Sequence, residues 1–233
     1  MPAIRLLPFE SADGPTNMAA DEAMLESAEL GVASLRFYAW SEPTITLGYF
    51  QPAAVALSGL PWVRRSTGGD AIVHHRELTY GLALPNGREW RPAGEPWTCR
   101  FHHLLRDVLG EVGIESRAVL CGEEQRLGET LCFLHQTAGD LLIRGSKVAG
   151  SAQRKRHGAL LQHGSILLER SEHASMLPGI NDLTGASITP RSLAERLAAK
   201  FEARPGDWTD AERERTAAIR AEKYANPDWN FKR

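Results

Sequence analysis

What this sequence has little of narrows it first. Only three of its 233 residues are cysteine (Cys99, Cys121 and Cys132), an odd number without CxxC spacing. That speaks against a disulfide framework and a structural zinc site, and leaves free thiols. No apolar run approaches transmembrane length, and the opening MPAIRLLPFESADG lacks the segments of a secretory signal. A cytoplasmic protein with no membrane partner is expected. Neither sign of charge dominates: 27 basic residues face 29 acidic ones, and a net charge of −2 gives no global reason to bind nucleic acid. GxGxxG and GxxxxGK[ST] are both missing, so the two common nucleotide-binding loops are not signalled. There is no internal repeat, low-complexity segment or long polar linker.

What is present reads as interleaved helices and strands. TNMAADEAMLESAEL (16–30) has a capping residue at Thr16 or Asn17, acids in its first turns and apolar Met18, Met24 and Leu25, which predicts a helix stopped by Gly31. SLRFYAW and TITLGYF alternate apolar and polar positions on either side of Ser-Glu-Pro, predicting two strands joined by a turn. Two more strand-like segments flank Gly68 and Gly69 within residues 60–85. CRFHHLLRDVLGEVG (99–113) sets Phe101, Leu104, Leu105, Val108 and Leu109 on one helical stripe. From 117 to 168 short strands return as SRAVLC, LCFL, DLLIRG, SKVAGSAQ and ALLQHGSILL. Thr189 and Pro190 then suit the cap and first position of a helix with Leu193, Leu197 and Phe201 at four-residue spacing, and TDAE (209–212) is a capping box. The pattern predicts a single α+β domain: a mixed or antiparallel sheet flanked by helices, with a helical C-terminal cap.

Three segments can carry chemistry. In RRSTGGDAIVH (64–74) the paired glycines let backbone approach a ligand closely, and the amides of such a turn can cradle an anion or a carbonyl oxygen. Arg64 and Arg65 point to opposite faces of a strand, so one of them faces any pocket. The same glycines also fit a tight hairpin. In GSKVAGSAQRKRHGALLQHGS (145–165), Lys147 sits among small residues and can neutralise an anion or exchange a proton, or is a surface lysine in a turn. Arg154, Lys155 and Arg156 read as a solvated loop or a dock for an acidic carrier protein, and His163 as a structural histidine. Finally, Cys132 lies 15 residues ahead of Lys147. Thiolates attack acyl groups, and a nearby lysine or histidine lowers a thiol pKa from about 8.5. Between Leu131 and Phe133 the residue reads equally as a small core filler.

Seven blocks in order, NMAADEAML, RFYAW, TLGYFQ, RRSTGG, HHRELTY, KVAGSAQ and LLQHGSILL, resemble the superfamily of lipoate–protein ligases, octanoyltransferases and biotin–protein ligases, from about Asn17 to Asn230. The sequence looks closest to the cysteine-dependent octanoyl-carrier-protein:protein octanoyltransferases. A CF pair ahead of the GxKxxGSAQ lysine, ELTY at 77–80, and the stop after KYANPDWNFKR, where many ligases continue into an accessory domain, all point that way.

The resemblance implies one biotin/lipoate ligase-like catalytic domain over residues 1–233, with Cys132 carrying the acyl group as a thioester and Lys147 as its partner. It implies substrate-binding positions at Arg65, Ser66, Thr67, Gly68, Gly69, His74, Tyr80, Gly150, Ser151, Ala152, His163 and Gly164. The donor would be octanoyl-acyl carrier protein and the acceptor a lipoyl-domain or glycine-cleavage H-type protein, with no cofactor and no metal. A monomer is expected, since no long apolar helix lacks a core role. An ATP-dependent lipoate–protein ligase in which Cys132 is only structural, a lipoyl/octanoyl amidotransferase and an inactive lipoyl-binding module stay open. Two positions depart from the pattern. Asp70 follows Gly69 where glycine, or a basic or small residue, is usual, and an inward carboxylate there would repel an adenylate phosphate. His75 stands where aspartate is common.

Overall fold

The computed structural model describes residues 3–56, 59–90, 94–128 and 130–233. Its strands are, in chain order, β1 (Arg5–Leu6), β2 (Glu10–Ala12), β3 (Ser34–Trp40), β4 (Thr44–Leu47), β5 (Trp62–Arg64), β6 (Ile72–His74), β7 (Glu77–Leu84), β8 (Arg117–Ala118), β9 (Gln125–Arg126), β10 (His135–Gln136), β11 (Leu141–Ile143), β12 (Ser146–Arg156), β13 (Ala159–Leu167) and β14 (Arg204–Pro205). Its α-helices are α1 (Gly14–Glu29), α2 (Trp97–Glu111), α3 (Ile180–Thr184), α4 (Pro190–Lys200), α5 (Asp210–Ile219) and α6 (Pro227–Asn230). Among the described residues no helix is long and apolar enough to cross a membrane.

The longest alternating segments of the sequence become the middle of one mixed sheet. Its order is β14-β1-β3-β7-β13-β12-β11-β8, with β2 also on β3. β1 lies parallel to both of its neighbours, whereas every pairing from β3 across to β8 is antiparallel. A separate sheet of order β5-β4-β6 stands beside it, parallel on one side of β4 and antiparallel on the other.

Both faces of the large sheet are covered, which is why β7 is buried along its whole length. On one face α2 and α4 bring Phe101, Leu105, Leu109, Leu193 and Leu197 onto Leu35, Phe37, Leu78 and Leu82, and Tyr80 stacks on Phe101 at 3.5 Å. On the other face Ala20, Met24, Leu25 and Ala28 of α1 pack on Ala83 and Leu161. Burying apolar side chains like these contributes about 1.5–3 kcal/mol each.

Several boundaries differ from the sequence-based expectation. Helix α1 begins earlier, capped by Asp13, whose Oδ1 accepts the Thr16 N–H at 2.8 Å. Asn17 lies within the first turn, its backbone N–H donating to Asp13 O and its side-chain Nδ2 to the carbonyls of Ala12 and Ala39. LCFL is not a strand: Cys132–Leu134 forms a 3₁₀ turn, closed by Leu134 N–H on Leu131 O. Its alternation serves to drive Leu131 and Phe133 into a small core with Ile45, Leu47 and Val73. SRAVLC supplies only the two residues of β8. β5 and β6 do not pair with each other but flank β4, so the glycines between them are a crossing loop and not a hairpin. The Thr189 and Thr209 caps form where expected.

The helical cap is tied to the sheet edge by Arg5, which reaches Glu212 at 2.6 Å. Burial alone would raise the Glu212 carboxyl, but hydrogen bonds from Arg5, Ser27 and the Thr209 amide outweigh it and hold the pKa at about 2. A carboxylate held below its ordinary 4.5 stabilises the fold above that pH and loses the contribution as pH falls toward about 2. The expected outcome is that Glu212→Gln costs stability at pH 6 and much less at pH 2.5, read by urea denaturation. A penalty equal at both values would rule this out.

Candidate active site

The β5–β6 loop, the Cys132 turn, β12 and β13 converge on a cavity of about 210 Å³. Close backbone crossing makes it. A Cβ on Gly48 would lie 1.7 Å from the Gly69 carbonyl oxygen, and Gly69 adopts φ +88°, so both positions require glycine. Arg65 braces the crossing: its five N–H groups donate to Gly68 O through both Nε and Nη2, to Thr46 O and Oγ1, and to Asp70 O. It lines the cavity but has no donor left for a ligand, so its contribution there is charge. Arg64 turns the other way, as strand alternation requires, beneath the carbonyls of Gly48 and Gln51.

Cys132 and Lys147 meet in this cavity, with Lys147 Nζ 3.9 Å from Cys132 Sγ. The turn that carries the thiol hangs from the glycine loop, because Cys132 N–H donates to Ala71 O at 2.8 Å. Lys147 is 5% exposed and ion-paired to buried Asp140 at 2.7 Å. Nζ also donates to His135 O at 2.9 Å and Cys132 O at 3.3 Å. A carboxylate, two carbonyls and a thiol around one amine suit its ammonium form. Asp140 is itself fixed by the Thr137 N–H and hydroxyl.

The histidines divide by what their ring nitrogens face. His135 Nδ1 lies 2.6 Å from the Asp70 carboxylate and Nε2 lies 2.7 Å from Gly128 O. His163 is held between Asp21 and Thr67, and His74 between Glu77 and Thr46 with its ring stacked on Trp40 at 3.9 Å. Both line the cavity by ring surface. Asp21 is fully buried; burial would raise it, but Arg36 and His163 hold it below the ordinary carboxylate range. Burial pushes His102 below the usual imidazole value, so the ring is neutral. With Nδ1–H donated to Gly139 O, its Nε2 accepts the Ser151 hydroxyl, which in turn accepts from Tyr80 at 2.5 Å.

Of the positions implied by the resemblance, Arg65, Gly68, Gly69, His74, Gly150, Ser151, Ala152, His163 and Gly164 line the cavity with Cys132 and Lys147. Ser66, Thr67 and Tyr80 stand behind the wall, Thr67 and Tyr80 bonded to the lining residues His163 and Ser151. The cavity adds residues that the sequence reading did not select: apolar Met18, Tyr38, Trp40, Ile72 and Phe133, and polar His135 and Asp140. Asp70 also lines it, with its carboxylate paired to His135 at 2.6 Å and accepting from Gln51 Nε2 at 3.3 Å. Among the described residues the one His/Cys/Asp/Glu group with metal-like spacing is His75, Glu172 and His173, outside this cavity.

A crossed glycine loop faces a buried lysine across this cavity, on a mixed sheet with helices on both faces. Residues 13–202 match the family model for the lipoyl protein ligase A/B catalytic domain, and the chain belongs to that family. It is 31% identical to octanoyltransferase LipM of Kyrpidia tusciae, over 98% of both chains. It is 35% identical to octanoyltransferase LipM of Symbiobacterium thermophilum, over 89% of this chain and 81% of that one. In fold it is similar to lipoate-protein ligase A bound with ATP, with a TM-score of 0.79 and 21% identity over 98% of each chain. The bipartite lipoate protein ligase of Thermoplasma acidophilum gives a TM-score of 0.74 at 21% identity, over 99% of this chain and 96% of that one.

Removing the counter-charge of Lys147 leaves a buried ammonium alone. Asp140→Ala is therefore expected to lower unfolding free energy by ~3 kcal/mol, read by urea denaturation. The double variant Asp140→Ala/Lys147→Met should recover much of that loss. No recovery would show that Asp140 acts through Thr137 and not through the ion pair.

Proposed function

We propose that this protein is an octanoyltransferase of protein lipoylation that works through a cysteine thioester. The observation that carries the reading is the 3.9 Å approach of Lys147 Nζ to Cys132 Sγ inside the cavity. The Cys132 thiolate attacks the thioester carbonyl of octanoyl-acyl carrier protein. A new carbon–sulfur bond forms, the bond to the phosphopantetheine sulfur breaks, and that sulfur leaves and takes up a proton. The target lysine of a lipoyl-domain or glycine-cleavage H-type protein then attacks the acyl-enzyme as a free amine. An amide forms, its extra proton goes to Lys147, which had given its own proton to the departing phosphopantetheine sulfur, and the Cys132 thiolate is regenerated.

Lys147 stabilises the thiolate by its charge and lies where it can meet the carbonyl oxygen or relay a proton. Backbone of Gly68 and Gly69, with Gly150 and Ser151, completes the oxyanion site. Met18, Tyr38, Trp40, Ile72 and Phe133 give the octanoyl chain an apolar wall, where each buried methylene is worth about 0.8 kcal/mol. A thioester donor arrives already activated, so the reaction needs neither nucleotide nor metal. The protein acts as a monomer in the cytoplasm.

Incubation with octanoyl-acyl carrier protein should leave an octanoyl adduct on Cys132, seen by peptide mass spectrometry. Gly150→Ala should slow loading by about tenfold or more, since its Cβ would stand 2.6 Å from Lys147 Cε. Transfer by Cys132→Ser at the wild-type rate would falsify the covalent route. AMP release with free lipoate would make the protein a ligase.

A further inference from the structure

On the outer side of the glycine loop, three cations gather on one aromatic ring. Lys232 Nζ lies 3.6 Å from the Tyr49 ring centroid, Arg233 Cζ 5.3 Å and Arg154 Cζ 5.9 Å. Among the described residues none of the three pairs with a carboxylate, whereas neighbouring Arg156 is held by Glu22, Glu26 and Glu29 and Lys223 by Glu22. Beneath them sits fully buried Arg64, whose Nη2 has no hydrogen-bond partner. Burial first, and then the nearby Arg233 charge, push the Arg64 pKa down. The Lys232 ammonium, followed by Arg233, does the same to the Tyr49 hydroxyl. Like charges collected this closely repel, and an anion bound among them would relieve that repulsion. Phe50, 70% exposed and edge-on to Tyr49 at 4.9 Å, adds an apolar contact at the rim.

The cluster is joined to the cavity. Tyr49 N–H donates to Thr67 O at 2.8 Å, and Arg154 Nη1 donates to Ser66 O at 3.4 Å. Both grip the loop whose Gly68 and Gly69 line the pocket with Cys132.

We infer that the Tyr49–Arg154–Lys232–Arg233 cluster docks the donor carrier, holding the phosphodiester of its thioester-bearing arm and the acidic surface around it, with Phe50 as apolar rim. The inference rests on the carrier-to-cysteine transfer proposed above. Guanidinium groups suit phosphate because their N–H groups match its oxygens in pairs. The donor is favoured over the acceptor on charge. The donor brings a phosphate to this rim, while the acceptor brings a lysine that the cluster would repel.

Binding and chemistry are measured separately. Octanoyl-loaded carrier is titrated against the full chain by fluorescence anisotropy. Lys232→Glu/Arg233→Glu should weaken its binding by at least about tenfold, while Lys232→Arg/Arg233→Lys keeps it. Carrier lacking the phosphodiester arm should bind the wild type more weakly than loaded carrier. Thermal unfolding confirms that the variants fold. Acylation of Cys132 by a small uncharged octanoyl thioester without phosphate, and discharge of the preloaded enzyme to the acceptor, should match the wild type. Unchanged carrier binding in the Glu variant overturns the dock, as does slowed discharge to the acceptor with carrier binding intact. If wild type binds the carrier, the Glu variant does not, and Cys132 is never acylated, the dock stands and the transfer reading fails.

Discussion

An ammonium buried to 5% exposure needs a counter-charge, and the arrangement of the cavity follows from how Asp140 supplies one to Lys147. The pair spans the β11–β12 hairpin, where the register shifts between Leu141 and Leu142. Its carboxylate is oriented by Thr137, at the end of β10. Lys147 then turns outward onto two carbonyls of the Cys132–His135 segment, which brings the thiol alongside. One ion pair thus fixes a hairpin, a 3₁₀ turn and the distance between sulfur and nitrogen.

A second constraint comes from the opposite wall, where the chain crosses itself at Gly48 and Gly69. Arg65 commits every donor to that crossing, and Asp21, Arg36, His163 and Thr67 form a buried polar chain behind it. Polar residues are numerous in this interior, yet nearly all are satisfied by one another. The cavity wall joins apolar surface at Met18, Tyr38, Trp40, Ile72 and Phe133 to two polar pairs, Cys132–Lys147 and Asp70–His135.

The sequence makes much of this readable, and the failures have physical causes. SLRFYAW and ALLQHGSILL are recognised as strands by short β-branched, aromatic and apolar stretches, although burial on both faces blurs any two-residue period in them. Thr189 and Thr209 announce their helices because a cap is a local interaction. LCFL misleads because apolar alternation marks burial of Leu131 and Phe133, and a 3₁₀ turn buries such a pair as well as a strand does. Asp140 escapes notice since its meaning depends on a hairpin register that no local pattern encodes. Met18 and Trp40 read as helix and strand core, and they are that; the cavity wall uses the same surfaces.

The Cys132 turn is suspended from Ala71, at the end of the glycine loop, by a backbone hydrogen bond. The thiol is therefore suspended from two sides, by the loop through Ala71 and by the sheet through the bonds of Lys147 to Cys132 O and His135 O. Tyr49 and Arg154, which grip Thr67 and Ser66, tie the outer cationic cluster to the loop side of that suspension.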